Sequence, residues 1–350
     1  MAVIILLASF FLSIILTIAV RSLMLHLRIV DSPKVAKRKI HKKTIPLGGG
    51  LALYLSFFII LFLLYWSGYV GTSLSWKEIA ALFVGGTILM IGGLIDDRYP
   101  MKARYQLFFP LVATACVILY GIGPTQVTNP FGGILYLDQW NIHFGVLGTF
   151  VVFADLLVFF WLMGMMYTTK LLDGLDGLVT GIVAIGALAV FFLTQQQEWF
   201  QPEVGYIAIA FAGVCLGFLL FNWHPAKIFL GEGGSLFAGF VLGFLAIVSG
   251  SKIATTLLVI GIPVLDIIRV MIRRYQLKRS VFEGDNEHLH FKLLQSGLSQ
   301  KQTVLLFYAM ALLFGLIGLF VQSSQKIIAL VFLVVLMLLL AIWFSKKESV

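Results

Sequence analysis

The 350 residues are 60% hydrophobic and 12% charged, with a mean hydropathy of +1.00. Soluble domains carry about 25% charged residues, so this balance excludes a water-soluble globular protein and requires lipid as the solvent. The net charge of +9 does not point to nucleic acid, because the basic residues flank apolar runs, where they read as topology signals and contacts to lipid phosphates.

A membrane-spanning helix needs about 20 apolar residues. Eleven runs qualify: 2–25, 47–69, 78–95, 105–123, 146–168, 172–194, 203–222, 233–250, 253–272, 302–321 and 326–345. They predict an all-α polytopic membrane protein with about 11 transmembrane helices in a single domain over 1–350. The first run has no basic segment before it and Arg21 after it, the reverse of a signal peptide, so it reads as a first span with its N-terminus outside. The basic run from Lys34 to Lys43 follows, and such juxtamembrane clusters meet anionic lipid heads.

The third run ends in Asp96-Asp97. Adjacent carboxylates raise each other's pKa unless a cation offsets them, which suits a Mg²⁺–diphosphate substrate as well as a solvated helix end beside Arg98. Cys116 and Cys215 lie in apolar runs without metal-ligand neighbours and read as packing residues. The stretch 132–144 alternates around a polar turn and predicts a small extracytoplasmic β-hairpin. Asp155 follows; as a helix N-cap it would begin the fifth helix at the outer interface.

Asp173 and Asp176 sit in Leu-Leu-Asp-Gly-Leu-Asp-Gly-Leu, where a spacing of three puts both on one face of the helix opening the sixth span. The intervening glycines allow a ligand to approach the backbone. Gly231-Glu232-Gly-Gly-Ser235 opens the eighth span, with free N–H groups for an anion and Glu232 for a cation. Asp285-Asn-Glu-His288-Leu-His290 follows the ninth span; no further Cys or His completes a zinc set, so the histidines read as imidazolium donors to phosphate.

With eleven spans and the N-terminus outside, every basic residue except Lys77, Lys252 and Lys326 falls on one side, which the positive-inside rule makes the cytoplasm. The C-terminus and the acidic motifs share that side.

Taken together and in this order, the motifs resemble the polyprenyl-phosphate N-acetylhexosamine-1-phosphate transferase family. The segments that carry the resemblance are Arg38-Lys-Ile-His41 with Ile45-Pro-Leu-Gly-Gly49, Leu94-Ile-Asp-Asp97, Leu172-Asp-Gly-Leu-Asp-Gly-Leu178, Asn222 with Pro225-Ala-Lys-Ile-Phe-Leu-Gly231, Ile262-Pro-Val-Leu-Asp266, and Asp285-Asn-Glu-His-Leu-His290. The last form is closer to the N-acetylglucosamine branch than to the muramoyl-peptide branch. The resemblance implies transfer of a sugar 1-phosphate from a UDP-N-acetylhexosamine to undecaprenyl phosphate, with release of UMP. It further implies Mg²⁺ with Mn²⁺ as an alternative, a plasma-membrane location, an active site on the cytoplasmic face, and a homodimer as an open question.

By the same resemblance Asp96 deprotonates or positions the attacking lipid phosphate, and Asp97 is its acidic partner near the diphosphate and the metal. Glu232 stands where the family has a metal-binding Asp. Asp176, Asn222 and Phe229 match positions around the nucleotide base, His288 and His290 match diphosphate contacts, and Asp173, Asp285 and Lys42 join the substrate-binding set, to which Lys170 adds a fixed positive charge beside the diphosphate region. The chain departs from the family pattern at Tyr167 and Lys170, where members carry asparagines, at Glu232-Gly233 in place of Asp-Thr, and at Phe291 in place of a third histidine. Two rival readings are a divergent member with altered or lost catalysis, and a secondary transporter. A transporter would hold its ionisable groups near the bilayer midplane.

Overall fold

The computed structural model describes residues 1–32, 44–129, 133–143, 149–250, 253–278, 287–321 and 323–348. In lipid each backbone N–H and C=O must be satisfied within its own segment, so the apolar runs become helices. In chain order these are α1 (Ala2–His26), α2 (Gly50–Trp66), α3 (Trp76–Arg98), the short α4 (Ala103–Gln106), α5 (Phe108–Leu119), α6 (Val152–Leu172), α7 (Leu178–Thr194), α8 (Pro202–Asn222), α9 (Gly231–Val248), α10 (Ile253–Gln276), the short α11 (Leu289–Gln295), α12 (Gln300–Phe320) and α13 (Ser323–Glu348). Seven of them, α1, α3, α6, α8, α9, α10 and α12, are long and apolar enough to cross a membrane. Shorter apolar helical stretches cover 50–66, 103–119, 178–194 and 325–339. The chain is therefore an all-α, multi-pass membrane protein, and each of the eleven apolar runs overlaps one of these helical stretches.

Local signals set several helix ends. Ser75 and Glu78 form a capping box that starts α3, and Ser299 and Gln302 do the same for α12. Pro202 occupies the first turn of α8, where its missing N–H costs nothing.

The hairpin expected over 132–144 differs from expectation. Strands β3 (Gln126–Thr128) and β4 (Ile134–Tyr136) pair antiparallel, as do β5 (Asn141–His143) and β6 (Thr149–Val151). The two segments read as one hairpin each turn to an outer neighbour instead of to each other. Alternation reveals a strand but not its partner, which connection geometry decides. A further short pair joins β1 (Val30–Asp31) to β2 (Ile45–Pro46).

Helix α9 is almost wholly buried and packs against α2, α3, α6 and α7. Glycines permit the closest approaches. A Cβ on Gly93 of α3 would lie 2.0 Å from the Gly233 Cα, and one on Gly50 of α2 would lie 2.2 Å from the Gly234 Cα. Helices α1 and α8 meet in the same way, with Gly213 and Gly217 against the Leu6 and Phe10 carbonyls, and Ser13 Oγ donating to the Val214 carbonyl at 2.7 Å. Phe57, Phe211 and Phe237 fill the centre, the first two with ring centroids 5.1 Å apart.

At the end of α8 opposite Asn222, buried Glu203 clasps the α2–α3 loop. Its carboxylate accepts the N–H groups of Gly71, Thr72, Ser73 and Leu74 at 2.8, 3.1, 2.8 and 3.0 Å, and the Thr72 hydroxyl. Asp155 is buried in the first turn of α6, where it accepts the Val151 N–H at 2.7 Å. The N-cap is Val151, so Asp155 reaches back from inside the helix instead of capping it. A carboxylate satisfied at a helix start is not the midplane ion ligand a transporter requires.

Candidate active site

A cleft of about 510 Å³ opens where the ends of α3, α6, α8 and the start of α9 converge. Its lining brings together Asp96, Asp97, Lys170, Asp173, Asp176, Asn222, Phe229 and Glu232 from the sequence expectations. Lys42 and Asp285 lie outside the described residues.

Asp96 and Asp97 occupy the last turn of α3, where the helix dipole disfavours negative charge. Each is held by a specific partner. Buried Asp96 accepts the Met101 N–H at 2.5 Å through one oxygen and the Gln106 amide at 2.8 Å through the other. Asp97 Oδ1 accepts the Glu232 N–H at 3.0 Å, while its buried Oδ2 has no hydrogen-bond partner among the described residues. Gly231, with φ 75°, makes room for this carboxylate, since a Cβ there would lie 2.2 Å from Asp97 Oδ2. The free oxygen of the pair thus belongs to Asp97, and Asp96 is committed to the segment after α3.

Lys170, in the last turn of α6, donates to Gln106 Oε1 at 2.9 Å. Its ammonium also lies 2.8 Å from Glu232 Oε2, an ion pair without hydrogen-bond alignment. The carboxylate expected to hold a metal is therefore engaged by a lysine. Gly233 has a packing reason of its own, the approach of α9 to α3 at Gly93.

Asp173 and Asp176 do not share a helix face, contrary to expectation. The helix opens six residues later than Leu172, at Leu178, and both acids lie in the turn before it, whose Gly177 has φ 80°. Glycine's freedom to adopt positive φ stops the helix from extending backwards. Asp176 Oδ2 pairs with His224 Nδ1 at 2.7 Å and accepts the Ala226 N–H at 3.1 Å. Burial, reinforced by Glu232, Asp97 and Asp176, pushes Asp173 up to about 8, although its surface stays open to the water of the cleft, which screens part of that effect.

Asn222 is a brace. Its buried side chain accepts from the Gly177 N–H at 3.1 Å and the Thr180 hydroxyl at 2.9 Å, and donates to the Ile228 carbonyl at 3.0 Å. Phe229 lines the cleft, and its backbone joins Pro46 and Gly49 at 2.9 Å each.

The two histidines are placed behind the wall. His288 Nδ1 lies 3.0 Å from Asp266 Oδ2, which also accepts the Leu289 N–H, while Arg269 pairs with Asp266 Oδ1 at 2.7 Å. His290 is buried against Gly174 and Phe291, its ring 4.2 Å from that of Phe291, and Phe291 is the residue that reaches the cleft. Burial, with the His288 charge adding to it, pushes His290 down to about 3, so it is a neutral ring and not the expected imidazolium donor.

Gln106 and His224 are among the cleft residues that escaped the sequence reading. Gln106 follows Asp96 by ten positions across a turn, and no spacing rule links them. His224 stood two residues after Asn222 in Asn-Trp-His-Pro, a polar break between apolar helices that could have flagged it.

Among the described residues no group of three His, Cys, Asp or Glu side chains forms a ready-made metal site. Mg²⁺ does not need one, because it takes one or two carboxylates and completes its shell with water and substrate phosphate. The unpartnered Asp97 oxygen, in a cleft of oxygen donors, fits that chemistry.

The family model described as glycosyl transferase family 4 matches residues 79–250. The chain is 30% identical to the decaprenyl-phosphate N-acetylglucosaminephosphotransferase of Mycobacterium leprae, over 78% of this chain and 72% of that one. It is 27% identical to a Bacillus subtilis protein named "probable undecaprenyl-phosphate N-acetylglucosaminyl 1-phosphate transferase", over 94% and 87% of the two chains. The phospho-N-acetylmuramoyl-pentapeptide-transferase of Moorella thermoacetica is 38% identical over 44% and 48%. With matches of this extent, and the matched region carrying Asp96, Asp97, Lys170, Asp173, Asp176 and Glu232 of the cleft, the chain belongs to glycosyl transferase family 4.

Proposed function

We propose that the protein transfers N-acetylglucosamine 1-phosphate from a UDP-sugar to undecaprenyl phosphate and releases UMP, as a first membrane step in building a cell-envelope polysaccharide. The observation that carries this reading is the convergence of Asp97, Asp173, Asp176, Glu232 and Lys170 on one cleft at the helix ends, in a chain whose relatives are named for that transfer. In the reaction an oxygen of the lipid phosphate attacks the sugar-bearing phosphorus of the diphosphate. The bond from that phosphorus to the bridging oxygen breaks, and UMP departs with the oxygen. Such a displacement needs alignment and charge neutralisation more than covalent help from the protein.

Asp97 faces the reacting groups with its unpartnered oxygen. Asp96, through Met101 and Gln106, holds the segment after α3 in place beneath the lipid phosphate. Lys170 supplies positive charge, and Asp176 with His224 forms a polar wall for the nucleotide. When bound, Mg²⁺ neutralises the diphosphate; Asp97, with Asp173 beside it, would hold the ion.

The cleft opens to the cytoplasm, where the 22 basic residues of the expected inner side are counted against three outside. Purified protein with undecaprenyl phosphate, Mg²⁺ and a panel of UDP-sugars should release UMP from UDP-N-acetylglucosamine; no release from any sugar would refute the assignment. Single-cysteine labelling should find 98–102 inside and 195–202 outside, and labelling of 98–102 from outside intact cells would overturn the orientation.

A further inference from the structure

Lys170 is the Lys or Arg side chain that lines the cleft among the described residues, facing acids contributed by four separate segments. Its side chain is 15% exposed, and its ammonium touches two groups, Glu232 Oε2 at 2.8 Å and Gln106 Oε1 at 2.9 Å. An ammonium can donate but not accept. It therefore dictates which way the Gln106 amide points, with the oxygen toward Lys170 and the NH₂ toward Asp96 Oδ2 at 2.8 Å and the Met101 carbonyl at 3.3 Å. The reverse orientation would set NH₂ against an ammonium and a carbonyl oxygen against a carboxylate.

We propose that Lys170 is a positioning residue, a built-in cation that withdraws Glu232 from the metal-binding carboxylates and locks Gln106 against Asp96. Lys170 thereby joins the end of α6 to the start of α9 and to the end of α3 by one line of contacts, Glu232–Lys170–Gln106–Asp96. The divalent ion is left to Asp97, whose second oxygen no side chain satisfies among the described residues. The catalytic half of this inference rests on the transferase reading above, whereas its cation-binding half stands without it.

The test is a double-mutant cycle on the purified full-length protein in detergent. Mn²⁺ binding is measured without substrate from the electron paramagnetic resonance signal of the free ion. Lys170→Met frees the Glu232 carboxylate and tightens Mn²⁺ by about tenfold, the lower end of what one unit charge within about 4–6 Å does to a carboxylate. Glu232→Gln binds as the wild type does, and the double variant loses the gain, a non-additive result. Equal affinity in the wild type and Lys170→Met overturns the proposal, as does a gain that survives in the double variant. Lys170→Arg keeps the charge and therefore the wild-type affinity, which guards against a fold defect in Lys170→Met; a gain in Lys170→Arg equal to that in Lys170→Met also overturns it.

Kinetics report on the second contact. In Lys170→Met the kcat of UMP release falls by about a hundredfold, the scale of losing one preorganised electrostatic group, while half-saturating Mg²⁺ moves down. A rise in KM for the UDP-sugar with kcat unchanged would overturn the positioning role. Absence of UMP release from the wild type would refute the transferase reading, yet the Mn²⁺ cycle would still decide whether Lys170 withdraws Glu232.

Discussion

The Glu232 N–H donates to Asp97 Oδ1 at 3.0 Å, so the carboxylate that closes α3 and the first turn of α9 form one hydrogen-bonded unit. This contact spends one Asp97 oxygen on architecture and leaves the other without a hydrogen-bond partner among the described residues. Neighbouring Asp96 spends both.

Asp97→Asn and Asp96→Asn should therefore fail differently. Asp97→Asn lowers UMP release by about a hundredfold or more with thermal unfolding close to wild type, because an amide oxygen can still accept the Glu232 N–H. Asp96→Asn places an NH₂ against either the Met101 N–H or the Gln106 amide, so it loses stability as well as rate. Identical melting curves for the two variants would contradict this division of labour.

Much of this was legible in the sequence and some was not. Run length and composition located the helices, because burial in lipid leaves few alternatives to a continuous apolar run. Asp96-Asp97 and the Asp-Gly-Leu-Asp-Gly turn stood out because charge near a membrane is costly unless used. Partners were not legible. Nothing in the spacing says that Gln106 bridges Asp96 to Lys170, or that Asn222 spends its amide on Gly177 and Ile228, since both facts depend on how distant helix ends meet. The histidines misled for a related reason. A His-x-His pattern reports its chemistry but not its depth, and His290 lies behind Phe291.

The depth of His290 has a pH consequence. Its protonation is pushed from 6.5 down to about 3 in the folded protein, so below about 6.5 the unfolded chain takes up a proton that the folded one refuses. Stability should fall as pH drops from about 6.5 toward about 3, and His290→Gln should flatten that part of the profile. Thermal unfolding in detergent between pH 7 and 4 is the measurement; an unchanged slope in the variant would remove His290 as the cause.

Gly233 invites a substitution that restores the family's threonine. A Cβ there would already lie 3.2 Å from the Gly93 Cα and 3.4 Å from the Leu89 carbonyl oxygen. A branched side chain must push α3 and α9 apart, so Gly233→Thr should cost about 1–3 kcal/mol, the range for overpacking a tight contact. The same loss is expected in the Glu232→Asp background, because the strain lies between helices and not at the carboxylate. A rescue of the melting temperature by Glu232→Asp would show that the two positions compensate each other.

On the far side of the protein, Glu203→Gln should weaken the clasp on residues 71–74. An amide replaces one acceptor oxygen by a donor facing backbone N–H groups, at about 1–3 kcal/mol for a buried group left unsatisfied. UMP release per folded molecule should stay near wild type, since the clasp lies at the other end of α8 from Asn222. A selective loss of turnover without loss of stability would mean that the α2–α3 loop communicates with the cleft.

Gly231 sets a boundary on how this cleft can be altered by mutation. Its backbone is left-handed, and the space a side chain would fill is taken by Asp97. Position 232 can exchange its carboxylate for another polar group, because its side chain meets Lys170 at the tips. Position 231 has no such latitude, since even an alanine would displace the Asp97 carboxylate. Libraries that vary the cleft to accept new nucleotide sugars should leave 231 untouched, keep a cation at 170, and concentrate their diversity at 224 and 232.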